Sequence, residues 1–476
     1  MYVPFLGRLS VIEWFLLLVS FWLSWMEYVS NIITKLLPTP VLTLISSTLR
    51  LMYKLMGQKI NFTTKKLAIL NDQDVPYKYV LAADGVDDNR YKLMTGLLNS
   101  RNIQDMCLLF GYAVENRIVK TNDGYLLTIQ RLTGRKDEAG NFRQLPRNGK
   151  VVYMHHGLLM CSEIWVTMLD RENNLPFVLY DLGYDVWFGN NRGNKYSQKH
   201  MTRPLNSEAF WNFSIDEFAL FDIPDSINFI LEETGKQHLT YIGFSQGTAQ
   251  AFASVSVNPE LTKKIDKIIA ISPATTPHGL YSKFLDILLK SSPKMLFLLF
   301  SRKALLPSVV FWGRIMYPPF FNTSIDLSNY LLFYWKAENI DKIQKLCSYA
   351  HLYSTTSVKT VVHWFQIMQL KNFQMYHDAT SGMNSLNPIS YPLSNISIPI
   401  HLIYGDSDSL VDIDVMKSQL PAETTHTHKI ANHEHLDNLW GRDVSETVFP
   451  LVLAALGETP NGTIAKLAGL KKTVNA

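Results

Sequence analysis

One stretch near the middle of the chain, Leu239-Thr240-Tyr241-Ile242-Gly243-Phe244-Ser245-Gln246-Gly247-Thr248, restricts the possible folds most. An apolar run ends at Tyr241-Ile242 and passes through Gly-x-Ser-x-Gly into "TAQAFASVSV", small residues suited to a helix packed on a sheet. A strand that turns directly into a helix strains the residue at the corner. Glycines on both sides of that corner let backbone approach backbone. This strand–turn–helix context reads Ser245 as an exposed nucleophile on an elbow, rather than as a serine in an ordinary glycine-rich turn.

Other runs fit the same architecture. Short apolar or β-branched stretches occur at 151–156, 184–190, 239–245, 267–274, 398–406 and 425–433, with helix-length segments between most of them. Such runs predict a parallel sheet covered on both faces, hence an α/β, doubly wound fold. The rhythm stops between residues 275 and 395, where Leu, Phe, Tyr and Trp dominate, as in "VVHWFQIMQL". An insertion this apolar between consecutive strands predicts a helical cap over an apolar cleft. The expected organisation is a core over 101–274 and 396–476, a cap over 275–395, a linker over 61–100 and a separate N-terminal unit over 1–60.

That N-terminal unit is strongly hydrophobic. Trp14–Met26 and Val41–Met56 are two apolar runs separated by Leu37-Pro38-Thr39-Pro40, and two prolines this close break a helix. No small-x-small cleavage site follows the first run, so a retained segment is expected rather than a signal peptide. Arg8 lies before the first run, and Lys54, Lys59, Lys65 and Lys66 lie at or beyond the end of the second. Positive charge tends to stay on the cytosolic side, which suggests a hairpin dipping into one leaflet. A lipid-droplet monolayer suits such a hairpin; an ordinary anchor in the endoplasmic reticulum is the alternative.

Composition excludes other classes. A net charge of +4 is too weak a bias for nucleic-acid binding, and no nucleic-acid motif is present. The three cysteines, Cys107, Cys161 and Cys347, cannot form a disulfide framework and fit a reducing compartment. Five Asn-x-Ser/Thr sequons, at Asn61, Asn212, Asn322, Asn395 and Asn461, would matter only in the secretory pathway.

A serine hydroxyl needs a base, and in this fold an acid and then a histidine follow the nucleophile in the chain. Asp406, Asp408 and Asp412 lie in "YGDSDSLVD", and His426, His428, His433 and His435 follow. The four histidines lack the carboxylate spacing of a zinc site. An oxyanion needs two backbone N–H donors. Gln246, after the nucleophile, supplies one, and Leu158 in His155-His156-Gly157-Leu158-Leu159 is the candidate for the other.

Together "DGYLLTIQR", "HHGLL", "GNNRGN", "GFSQGT" and "NHEHLDNLWG" resemble, in order, the acid lipase family that includes gastric and lysosomal lipases. The likeness covers roughly residues 100–455. "YVPFLGRLS" and "YSTTSVKTVVHWFQI" resemble the membrane-anchored sterol ester hydrolases of budding yeasts, found on lipid droplets. The resemblance implies an α/β-hydrolase fold with Ser245 as nucleophile, Asp408 as acid and His435 as base. It places the oxyanion donors at Leu158 and Gln246. It implies steryl ester as the first substrate and triacylglycerol as the second. A catalytically inactive lipid-droplet scaffold and an acyltransferase are the competing classes. No metal or organic cofactor is expected. Phe244 stands where secreted members commonly carry His, and the hydrophobic hairpin replaces their cleaved signal peptide.

Overall fold

The computed structural model describes residues 88–282, 292–305, 316–378 and 388–458, the pieces 39–55, 62–66 and 79–83, and single positions between 14 and 29 and between 307 and 313. The first arm of the expected hairpin and the Pro38 turn lie largely outside the described residues. Its second arm coincides with helix α1 (Thr39–Leu55), which packs against the body through Leu49. Val41, Leu44, Leu51, Met52 and Leu55 of α1 are exposed. Among the described residues, no helix is long and apolar enough to cross a membrane.

The stretch expected as a linker is not one throughout. Phe62–Lys66 and Tyr79–Ala83 pair antiparallel, and helix α2 (Asp88–Asn99) buries Met94 and Leu97 completely in the main core. Mixed polarity hid this helix in the sequence, because only a narrow stripe of it faces inward.

Among the described residues ten strands form one sheet. Eight carry its path: β1 (Tyr112–Lys120), β2 (Tyr125–Lys136), β3 (Val151–His155), β4 (Asp185–Phe188), β5 (Leu239–Phe244), β6 (Ile265–Ile271), β7 (Ile400–Gly405) and β8 (Thr425–Ile430). Their spatial order is β8-β7-β6-β5-β3-β4-β2-β1. From β4 to β8 the pairs are parallel; β1 with β2, and β2 with β4, are antiparallel. The sheet is therefore mixed and mostly parallel. Every residue of β3, β4 and β5 is buried, as expected of central strands covered on both faces. By contrast β2 alternates along much of its length, and the edge strand β8 leaves His426 and His428 accessible.

Strand β5, which leads into Ser245, lies between β3 and β6, with Met154 opposite Ile242 and Ile271 opposite Phe244. Two apolar cores flank the sheet. Helix α3 (Ile223–Thr234) buries Ile223, Ile227 and Ile230 in one of them and ends at Gly235, whose φ of +63° closes the helix. Helix α4 (Gln246–Val257) is buried from Gln246 to Ser256, which its small side chains permit.

Between β6 and β7 the described residues contain no strand longer than an isolated bridge. Helices α5 (Pro293–Phe300), α6 (Pro318–Phe333), α7 (Lys342–Ala350) and α8 (Val358–Leu370) fill the interval. Residues 283–291 and 379–387 of the expected cap lie outside the described residues.

Candidate active site

Ser245 stands between β5 and α4 with φ +53° and ψ −121°, outside the regions that L-residues favour. Such a conformation costs about 1–3 kcal/mol and persists only where its surroundings enforce it. Here the Ser245 N–H donates to the Ile271 carbonyl at 3.1 Å. Its own carbonyl accepts from the Thr248 N–H at 2.9 Å and from Thr248 Oγ1 at 2.7 Å. The flanking glycines are required by close approach. A Cβ on Gly247 would lie 2.6 Å from the His155 carbonyl oxygen, and one on Gly243 would lie 2.8 Å from the Gly247 carbonyl carbon.

His435 follows β8, and its Nε2 lies 2.8 Å from Ser245 Oγ. Its Nδ1 lies 2.6 Å from Asp408 Oδ2, in the loop after β7. The Leu410 N–H donates to the other Asp408 oxygen at 3.0 Å. A carboxylate so placed can only accept from Nδ1–H, which leaves the Nε2 lone pair facing the serine hydroxyl. The side chains of Asp408 and His435 are almost wholly buried, and Ser245 is 8 % exposed. The His435 carbonyl accepts from Ser272 Oγ at 2.7 Å, and Asn438 donates to that hydroxyl at 2.9 Å.

The other candidates have separate roles. Asp406 accepts the Asn432 N–H at 2.7 Å, and Asp412 caps helix α9 (Ile413–Gln419) by accepting the Val415 N–H at 3.1 Å. His433 contacts Asn438 Oδ1 at 2.9 Å and Asp443 Oδ2 at 3.1 Å. His426 and His428 stack on His401 with ring centroids 4.9 and 5.7 Å apart. Burial, with the neighbouring imidazoles, pushes His401 down to about 4. Among the described residues, no group of three or more His, Cys, Asp or Glu side chains could hold a metal ion.

The His155–Leu159 loop lies directly alongside Ser245. A Cβ on Gly157 would be 3.0 Å from Ser245 Cβ and 3.0 Å from Met160 Sδ. Leu159 takes φ +59°, and its carbonyl accepts from the Ser354 N–H at 2.6 Å. His156 accepts the Asn191 N–H at Nε2 (3.2 Å), so its proton sits on Nδ1, which donates to the Gly157 carbonyl at 2.8 Å. Burial holds His156 neutral by pushing it down to about 4. The backbone N–H groups of Leu158 and Gln246 have no acceptor among the described residues. Two free donors beside a serine hydroxyl are an arrangement that can bind a developing oxyanion.

The Gly189-Asn190-Asn191-Arg192-Gly193-Asn194 motif supports this loop from behind. Asn190 Oδ1 accepts from Asn194 at 2.8 Å and from the Ser162 N–H at 3.0 Å. Asn191 donates to Gln250 at 3.0 Å, and Gln250 donates to His155 Nδ1 at 2.8 Å. Arg192 is fully buried between Asp222 (2.7 Å) and Asp123 (2.5 Å) and touches no catalytic atom. Sequence reasoning missed two cap tryptophans. Trp364 Nε1 donates to Gln246 Oε1 at 2.8 Å, and the Trp335 ring stacks on His435. Both come from the aromatic insertion, which contains too many such residues for any one to stand out.

Comparison with known proteins adds the following. Residues 150–442 match the family described as alpha/beta hydrolase fold, and residues 103–169 match its partial lipase region. A Schizosaccharomyces pombe protein named "probable lipase" is 46% identical over 387 residues, 80% of this chain and 85% of its own. Human gastric triacylglycerol lipase is 31% identical over 375 residues, 75% of this chain and 91% of its own. Human lysosomal acid lipase/cholesteryl ester hydrolase is 32% identical over 363 residues, covering 72% and 87%.

Proposed function

We propose a reaction and a substrate class on one premise: the chain belongs to the α/β-hydrolases, in the family of the gastric and lysosomal acid lipases. It is a carboxylic ester hydrolase of the lipase type. In the proposed mechanism Ser245 Oγ attacks the ester carbonyl while His435 Nε2 takes its proton. Asp408 holds the imidazole in the right tautomer and balances its charge. The oxyanion is bound by the N–H groups of Leu158 and Gln246. When the tetrahedral intermediate collapses, the alcohol leaves with the proton from His435. Water, deprotonated by His435, then attacks the acyl-enzyme, and His435 returns that proton to Ser245 Oγ as the fatty acid leaves. The unbroken contact series Ser245–His435–Asp408, at 2.8 and 2.6 Å, carries this reading.

The proposed substrate is a water-insoluble ester, with steryl ester first. Support comes from the likeness to sterol ester hydrolases and from the relative named as a cholesteryl ester hydrolase. Triacylglycerol is the second reading, since a gastric triacylglycerol lipase is as similar. Greasy pockets separate such substrates by only about 1–3 kcal/mol. The proposed place of work is the surface of a lipid droplet or the endoplasmic reticulum, with the catalytic part facing the cytosol. The apolar N-terminus and the exposed apolar residues of α1 support this, as do three cysteines that are all unpaired and buried.

The test is fatty acid release from cholesteryl oleate and from triolein, with wild type and Ser245→Ala side by side. Release from the steryl ester that vanishes in the variant is the expected result. Release from triolein alone would transfer the enzyme to triacylglycerol. No serine-dependent release from either would favour the inactive scaffold. For location, deleting residues 1–56 should move the protein from the floating lipid fraction to the supernatant, and an unchanged distribution would defeat the anchor.

A further inference from the structure

We propose that Trp335 is a positioning residue for the general base. Its indole fixes the plane of the His435 imidazole and stabilises the imidazolium formed at each proton transfer. The inference rests on the triad reading given above.

The two rings are nearly parallel, 5° apart, with centroids separated by 4.9 Å. Trp335 is 6 % exposed, and Phe333 stacks on it at 4.5 Å. The turn carrying the indole is held in an unusual shape. Tyr334 and Ala337 both take left-handed backbone, with φ +62° and +53°. The Glu434 carboxylate, from the residue before His435, accepts the N–H groups of Lys336 at 2.9 Å and of Ala337 at 2.8 Å. The base and the indole are therefore clamped to each other through adjacent residues. Trp335 Nε1 is buried and has no acceptor among the described residues. A phenylalanine would fill much of this space without an orphaned donor. What indole adds is the strongest π face available to a cation.

The ionisable groups on the packed elements are Asp406 and Asp408 after β7, His433, Glu434 and Asp437 on the turn of His435, and Tyr334 and Lys336 beside Trp335. Among the described residues, the His435 ring hydrogen-bonds only to Asp408 and Ser245. Among the described residues the indole is thus its one aromatic partner in a parallel stack, Phe244 being tilted at 57°.

The experiment uses the full chain and p-nitrophenyl butyrate, a soluble ester that removes substrate class from the question. For Trp335→Leu, kcat should fall about tenfold and KM should stay within about twofold. The acidic limb of kcat/KM, which reports the free base, should move to lower pH by about half a unit or more. Trp335→Phe should retain an intermediate rate, and it carries the test if the leucine variant does not fold. A raised KM with unchanged kcat and limb would make Trp335 a pocket wall and overturn the proposal. A lowered kcat with an unmoved limb would reduce it to packing and overturn it as well. Failure of the triad itself is read separately, as residual activity in Ser245→Ala.

Discussion

Replacing Gly157 by alanine tests the oxyanion loop. The new methyl would lie 3.0 Å from Ser245 Cβ and from Met160 Sδ, and 3.4 Å from Phe244 Cδ1. Carbon atoms in contact prefer about 3.5–4.0 Å, so something must move by roughly half an ångström. The Met160 sulfur can move. Ser245 cannot, because its N–H, its carbonyl and both neighbouring glycines are engaged. The loop therefore retreats from the nucleophile and takes the Leu158 N–H with it. An oxyanion donor works at about 2.7–3.1 Å, and half an ångström removes most of its benefit. Loss of one such donor costs about 10²–10³ in kcat. The ground-state ester leans little on that bond, so KM should change by less than about threefold. Steady-state hydrolysis of p-nitrophenyl butyrate measures both constants, and melting of the variant checks that it is folded. A folded Gly157→Ala enzyme with kcat within about threefold of wild type would refute the placement of a donor on this loop.

Other outcomes follow from the same geometry. Asp408→Asn should lower kcat by about 10⁴ with the fold intact, since an amide presents the imidazole with the wrong partner. Asp412→Asn, at a helix cap, should leave kcat within about twofold in the same assay. Arg192→Met strands the buried Asp222 carboxylate and the partly buried Asp123 carboxylate and should cost about 3–5 kcal/mol in urea melts. Burial holds His156 at about 4 in the folded chain, while the unfolded chain protonates near 6.5. Between those values the unfolded state binds more protons, so stability should fall as pH drops from about 6.5 to 4, by roughly 3 kcal/mol from this group. In thermal melts across that range His156→Gln should flatten the slope; an equally steep slope in the variant would assign the loss elsewhere.

Much of the fold was legible because central strands of a parallel sheet have no polar face. The runs at Val151, Asp185, Leu239 and Ile400 could hardly be anything else, and the structure places strands at all of them. Strands β1 and β2 did not show in the same way, since a pair near the sheet edge alternates polar and apolar residues. The Asp88–Asn99 helix was lost for a similar reason. For the site, chain order brought the choice down to three acids and four histidines, and family likeness selected among them. Local sequence could not, because Asp406, Asp408 and Asp412 sit within one loop and its surroundings. What separates them is which carboxylate the turn after β7 aims at His435. Trp335, Trp364 and Ser354 were invisible for a deeper reason: their contacts join residues up to about a hundred or two apart, and nothing near them in the chain records the partner.

Those three residues bear on what the insertion is. Ser354 N–H holds the carbonyl of Leu159 on the oxyanion loop, and Trp364 holds the side chain of Gln246 beside the second donor. Trp335 covers the base, and Ser409, next to Asp408, donates to the Phe333 carbonyl. The loop of Leu158, the residue after Ser245, the proposed base and the neighbour of the proposed acid thus each take a contact from the segment between β6 and β7. A detachable cover would leave the catalytic atoms complete without it. Here the strand ends bring Ser245, Asp408 and His435 to one edge of the sheet, and the inserted segment touches His435 directly and the neighbours Gln246 and Ser409 of the other two. The ordered site is a joint product of the sheet and the insertion, and shortening the segment should cost turnover before it changes which ester is accepted.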